Sequence, residues 1–265
     1  MPCNVALGLT SKTVMTINAT RVAVVVGAAG GIGTALVQRL AADGWHLALA
    51  GRNQEKLAAL AAPLDPQRTA THAIDARDFD QVQQVIAATV ERWGRLDAAV
   101  NLAGSILLKP AHTTSMTEYQ DVIGQSLTTA FALVRSAAPA IGTSGGGSIV
   151  LTSSAAARIG LVNHEAIAAA KAGVQGLALS AAATYAGRGV RVNTVAPGLV
   201  RTSLVARIVD NPAALKGSEA MHALGRIGEP DQIASMIEWL LAPTQNWITG
   251  QVFGVDGGLG SLRAR

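Results

Sequence analysis

Few folds can accommodate the stretch RVAVVVGAAGGIGTALVQRLAADG, residues 21–44. Its first part, RVAVVVG (21–27), is an unbroken apolar and largely β-branched run. That is the composition of a strand covered on both faces, since a half-exposed strand would alternate with polar residues. The second part, GIGTALVQRLAADG (31–44), changes at once to helical periodicity and stops at a glycine. A buried strand that passes directly into a helix is a βα unit, and such units assemble into parallel sheets.

The same alternation continues along the chain. HLALAGR (46–52) reads as a strand and NQEKLAALAAP (53–63) as a helix; TATHAID (69–75) and LDAAVNLAG (96–104) flank the helical segment 79–94. A long helix is expected around 116–138, a strand over 145–154, a second long helix over 164–186 and a strand over 189–198. Residues 201–222 read as less regular and suited to a mobile lid, before a capped helix at 229–243 and a short strand within 248–258. The expected architecture is therefore α/β: a single-domain, doubly wound, Rossmann-like, mostly parallel sheet over 21–260, with helices on both faces. Residues 1–20 read as a loosely ordered extension without the basic flank and apolar core of a signal peptide, and translation from Met15 would leave the domain intact.

Composition narrows the function. With 49% hydrophobic and 14% charged residues the chain should be compact. No apolar run in the sequence reads as approaching the roughly 20 residues of a membrane span, so no membrane partner is expected. The net charge of +4 is spread rather than striped, which argues against nucleic acid. A single cysteine, Cys3, excludes an intrachain disulfide and thiolate metal clusters; no metal is expected, and a reducing, cytoplasmic setting fits.

The turn GAAGGIG sets Gly27, Gly31 and Gly33, with Ile32 between the last two, where the first strand meets the first helix. Backbone without Cβ atoms lets a pyrophosphate approach the helix N-terminus, although a tight βα turn alone would read the same way. The spacing is G-x-x-x-G-x-G rather than the common G-x-G-x-x-G. About 20 residues on, where a carboxylate would bind a free ribose hydroxyl, the chain has Gly51 and Arg52. A guanidinium pairs with a 2′-phosphate, so NADP(H) is expected over NAD(H); a merely solvated arginine is the alternative.

Taken together, these segments resemble the short-chain dehydrogenase/reductase family over residues 21–258. Beyond GAAGGIG, the resemblance rests on Asp75 in AIDARD, NLAG (101–104), Asn193 in RVNTVAPG, Thr202 and the closing VDGG (255–258). Val26 stands where the family often has threonine, and Leu102 where it has a second asparagine. The resemblance implies cofactor contacts from Asp75 near the adenine, from Asn101, Ala103 and Gly104, and from Pro197, Gly198, Val200 and Thr202 near the nicotinamide. It also implies a homodimer or homotetramer. Its catalytic set is Asn, Ser, Tyr and Lys. Ser154 matches the serine that polarises the substrate carbonyl, and Lys171 the lysine that holds the nicotinamide ribose. Ser126 falls at the asparagine position and Ile167 at the tyrosine position.

Isoleucine neither donates nor accepts a proton. Neither Tyr119 nor Tyr185 precedes a lysine by four residues. His164, three residues before Ile167 and seven before Lys171, falls with them on one helical face and is the expected substitute general acid. A histidine that lines the site without moving protons is the alternative. Three functions follow. The first is an NADP(H)-dependent oxidoreductase on a carbonyl/alcohol pair of an apolar small molecule, with Ser154 holding the oxygen and His164 or an ordered water supplying the proton. The others are a cofactor-binding protein without turnover, as a regulatory or hetero-oligomer partner, and a repurposed non-redox site. Leu199, Leu204, Ile208, Met221 and Leu224 suggest an apolar ligand.

Overall fold

The computed structural model describes residues 20–262; the extension expected at 1–20 lies, apart from Thr20, outside the described residues. Seven strands form one parallel sheet: β1 (Val22–Val26), β2 (His46–Gly51), β3 (Thr69–Ala73), β4 (Ala98–Asn101), β5 (Gly147–Thr152), β6 (Val190–Pro197) and β7 (Val252–Val255). Their spatial order is β3-β2-β1-β4-β5-β6-β7, and every pairing is parallel. The order reverses between β1 and β4, which opens a crevice at the carboxyl ends of these two strands.

The buried β1 divides its side chains between two apolar layers. Val22, Val24 and Val26 pack with α3 (Phe79–Trp93), α5 (Thr129–Thr143) and α6 (Glu165–Tyr185). Ala23 and Val25 pack with α1 (Gly31–Ala42), α2 (Gln54–Ala61) and α9 (Pro230–Leu241). This two-sided burial is why the strands carry continuous apolar runs.

Three expectations need correction. The helix expected at 116–138 is α4 (Met116–Ile123), a π-helical turn at Gly124–Thr128, and then α5, which continues to Thr143 through Pro139. Residues 201–222 are more regular than expected: a 3₁₀ turn at Ser203–Val205 leads into α7 (Ala206–Val209) and α8 (Pro212–Met221), whose N-cap Asn211 accepts the backbone N–H groups of Ala213 and Ala214. The segment Glu165–Arg188 does reach bilayer-spanning length and hydropathy, with a mean of 1.3. It is nevertheless a core helix, burying Ile167, Lys171, Val174 and Ala178 against the domain.

Candidate active site

The glycine turn is shaped by close approaches. Gly27 has φ +81°, and a Cβ there would stand 2.8 Å from Leu102 C and 2.9 Å from Ala103 N, so the β1 turn can meet the loop after β4 only without a side chain. A Cβ on Gly33 would collide with the carbonyl oxygens of Gly27 and Ala28, which lets α1 start tight against the strand end. A Cβ on Gly31 would meet Thr202 Cγ2 at 2.7 Å. The α1 N-terminus therefore lines the crevice, with Thr202 beside Gly31. That geometry suits an anion.

The crevice, about 380 Å³, runs from Gly51, Arg52 and Lys56 past the glycine turn to Ala103, Gly104, Gln125 and Thr202. Ile32 and Asp75 also line it. At its outer end Arg52 and Lys56 are exposed. Asp75 is the carboxylate there, but Arg77 grips it from Nε at 3.0 Å and from Nη2 at 2.6 Å. This pairing, with Arg52 adding to it, holds the Asp75 carboxyl below its ordinary pKa. Three cations thus face one neutralised acid, and Lys56 and Arg77 were not anticipated from the sequence. The signal was present in Lys56, one turn beyond Arg52, once N-cap Asn53 had fixed the start of α2 by accepting Lys56 N–H.

Several expected cofactor contacts take other positions. Asn101 is buried and fully engaged: it donates to Thr129 Oγ1 at 3.0 Å and accepts Ala103 N–H at 3.1 Å. It shapes the loop rather than lining the crevice. Of Pro197, Gly198, Val200 and Thr202, only Thr202 lines it. Pro197 ends the buried β6, and Val200 is buried in a bridge to Gly228. A Cβ on Gly198 would meet His222 Nε2 at 2.6 Å, so this glycine makes room for a histidine. That His222 is a brace the sequence did not reveal: buried, it donates from Nδ1 to Ser218 O and accepts Leu199 N–H at Nε2, tying α8 to the loop after β6.

Lys171 is the best-placed of the candidate catalytic residues. It is buried in α6 and donates to Thr152 O at 2.9 Å. Its ammonium lies close behind Gly104 of the crevice wall, where a Cβ would stand 3.2 Å from Nζ. Burial alone pushes the Lys171 pKa down to about 8. Ser153 Oγ donates to Lys171 O and accepts from Gln175, which anchors α6 to the end of β5. Ser154 is half-buried and its Oγ accepts Ala156 N–H, so its own proton remains free to donate to a substrate oxygen. Ser126 lies in the π turn, 1% exposed.

His164 departs from expectation. Helix α6 begins at Glu165, and His164 is its N-cap with φ −112° and ψ 12°. The helical-face arithmetic does not reach it. Its Nδ1–H is spent on Val162 O at 2.7 Å, and among the described residues no hydrogen bond joins it to Ser154 or Lys171. Ile167, by contrast, is buried against Val122, Ala166 and Ala170, with Leu107 and Ile123 beside them. At Ile167 hydrocarbon packs on hydrocarbon.

A larger cavity, about 910 Å³, lies at the opposite, amino end of the strands, lined by Arg21, Trp45, Arg191 and Trp247. It is remote from the glycine turn, and in open α/β sheets the ligand crevice lies at the carboxyl ends.

Comparison with known proteins places these features in context. A family model described as enoyl-(acyl carrier protein) reductase matches residues 27–260. The chain is 36% identical over 243 residues to D-threitol dehydrogenase of Mycolicibacterium smegmatis, covering 90% of this chain and 92% of that enzyme. Among solved structures it resembles a short-chain type dehydrogenase/reductase from Mycobacterium ulcerans, with a TM-score of 0.86, 30% identity, and 92% and 91% of the two chains covered. It also resembles actinorhodin polyketide ketoreductase with NADPH, with a TM-score of 0.85, 28% identity, and 92% and 98% covered.

Proposed function

Because the chain belongs to the short-chain dehydrogenase/reductase family, we propose that it is an NADP(H)-dependent oxidoreductase acting on a carbonyl/alcohol pair of an apolar small molecule, with a non-standard proton donor. The single observation that carries this is Lys171: a buried ammonium with no carboxylate partner among the described residues, directly behind Gly104 of the glycine-lined crevice. A buried lysine is costly unless something satisfies it, and ribose hydroxyls are suitable partners.

The residues present fit the cofactor. The glycine turn and the α1 N-terminus receive the pyrophosphate, Arg52 and Lys56 the 2′-phosphate, and Lys171 the nicotinamide ribose. When bound, the cofactor would supply hydride, which carries the electron pair of the reduction. Ser154 donates its free hydroxyl proton to the substrate oxygen and stabilises the charge that develops there. Leu204 on the crevice rim, with exposed Met221 and Leu224 on and after α8, supports an apolar substrate. Ile167 supplies no proton, so His164 Nε2 or an ordered water takes that role. A homodimer or homotetramer is part of this reading, supported by exposed Phe131 on α5 and Leu179 on α6.

The test is NADPH oxidation by the purified chain across a panel of aldehydes and activated ketones. Losing the usual acid costs about 10²–10⁴-fold, so slow but measurable turnover is expected. NADPH affinity without any consumption across the panel would favour a cofactor-binding protein without turnover.

A further inference from the structure

The cavity of about 910 Å³ at the amino ends of the strands has no part in the reductase reading. Its floor is bare backbone. Gly145 and Gly146 both have φ +100°, and a Cβ on Gly146 would stand 2.7 Å from Gly189 O, so the turns before β5 and β6 meet without side chains. A Cβ on Gly145 would meet nothing within 4 Å among the described residues.

Charge around this floor is unevenly paired. Arg95 gives Nε and Nη2 to Asp97, whose carboxylate also takes Val22 N–H. Arg21 gives Nη2 to Asp43 and lies over the Trp45 ring, 4.5 Å from its centroid. Arg191, on β6, has no carboxylate partner among the described residues. It is half-buried, and its guanidinium reaches only the carbonyls of Ile248 and Ala242, at 3.4 and 3.5 Å, the outer limit of a hydrogen bond. Burial pushes its pKa down from the ordinary value, and no acid offsets the shift. One positive charge thus lines the cavity without an anion. Trp247 lines it too, and is 96% exposed. An indole left in water gains by covering its face with another flat ring.

We infer that this cavity is a second ligand site, for a planar aromatic monocarboxylate: the carboxylate pairs with the Arg191 guanidinium and the ring lies against Trp247. The two oxygens of a carboxylate match the planar fork of a guanidinium. A single negative charge fits because Arg21 and Arg95 are already paired, so a dianion would bring charge that nothing in the cavity meets. An aliphatic acid would leave the indole in water. The site lies at the opposite end of the strands from the glycine turn, so this ligand and the cofactor bind together. The inference goes beyond the reductase reading and does not depend on it.

Isothermal titration calorimetry of the full chain with 2-naphthoate tests this. A Kd of about 1 mM or tighter is expected, unchanged within twofold when NADPH is saturating. The uncharged 2-naphthalenemethanol should bind at least tenfold more weakly. Arg191→Gln should weaken 2-naphthoate at least tenfold and Trp247→Ala at least threefold, with the NADPH Kd within twofold of the parent in both. Arg191 sits on a core strand, so circular dichroism checks that its variant folds; Trp247→Ala, at an exposed residue, decides the matter by itself if it does not. Displacement of 2-naphthoate by NADPH would put the acid in the cofactor crevice and overturn the inference. So would equal binding of the alcohol, no binding up to about 10 mM acid, or an affinity unmoved by Trp247→Ala. None of these readouts requires carbonyl reduction, so a chain that binds the acid but never NADPH would sink the reductase reading alone.

Discussion

At Ile167 chemistry and packing pull in different directions. The side chain is well buried among Leu107, Val122, Ile123 and Ala170, so it is a settled part of the core and not an accident of the surface. Yet it stands one helical turn before Lys171, the position to which the sequence resemblance assigns a phenol. Ile167→Tyr should therefore cost stability, about 1–3 kcal/mol by overpacking, while raising turnover by roughly 10²-fold or more. Steady-state kinetics with NADPH and an activated ketone checks this, and an inert but folded variant would mean that a phenol at residue 167 is not sufficient to restore turnover. At the far end of the crevice, Arg52 and Lys56 face outward while Asp75 is occupied by Arg77. Arg52→Ala should weaken NADPH binding about tenfold and NADH binding by less than twofold, as read by fluorescence titration, since only the former carries the phosphate. Equal losses would remove the basis for cofactor preference.

Elements carry the next layer of the argument. The π turn at Gly124–Thr128 interrupts what the sequence presents as one continuous helix, and it turns Ser126 into the buried space beside Gly104. Such turns are often found at functional sites because the extra residue re-aims a side chain. Upstream, α4 is held by a full capping box: Ser115 Oγ accepts Glu118 N–H and Glu118 accepts Ser115 N–H, with Lys109 Nζ on the same carboxylate at 2.9 Å. Ser115→Ala should cost about 1 kcal/mol in urea denaturation. Lys109, followed by the Ser115 bonds, holds the Glu118 carboxyl down at about 2 from an ordinary 4.5. A carboxyl with a depressed folded pKa stabilises fully above its unfolded value, and that stability is lost as pH falls through the folded one. The chain should accordingly lose thermal stability between about pH 4.5 and 2, and Glu118→Gln should flatten its part of that slope.

On the scale of the whole molecule, α5 and α6 present Phe131, 48% exposed, and Leu179, 63% exposed, on the outside of a domain whose interior is otherwise closed. Sedimentation velocity should return a dimer or tetramer, and Phe131→Asp should shift it towards monomer if these helices meet a second copy. The strand and helix order, the doubly wound sheet and the glycine turn were all legible along the chain. Each rests on local periodicity or on backbone freedom, which a run such as VAVVV or GAAGGIG expresses within a few residues. That Arg52 follows β2 and Lys171 falls inside the second long helix was legible for a similar reason: both lie at fixed intervals from recognisable elements. What only the tertiary structure decided depends on groups far apart in sequence meeting in space. Asn101 is consumed by Thr129, Gly198 yields to His222, and His164 falls outside the helix that was to aim it. The unpartnered hydroxyl of Ser126 meets Lys171 about Gly104 from separate segments. Periodicity reports which face of an element is apolar, whereas hydrogen-bond satisfaction depends on what the fold brings opposite it.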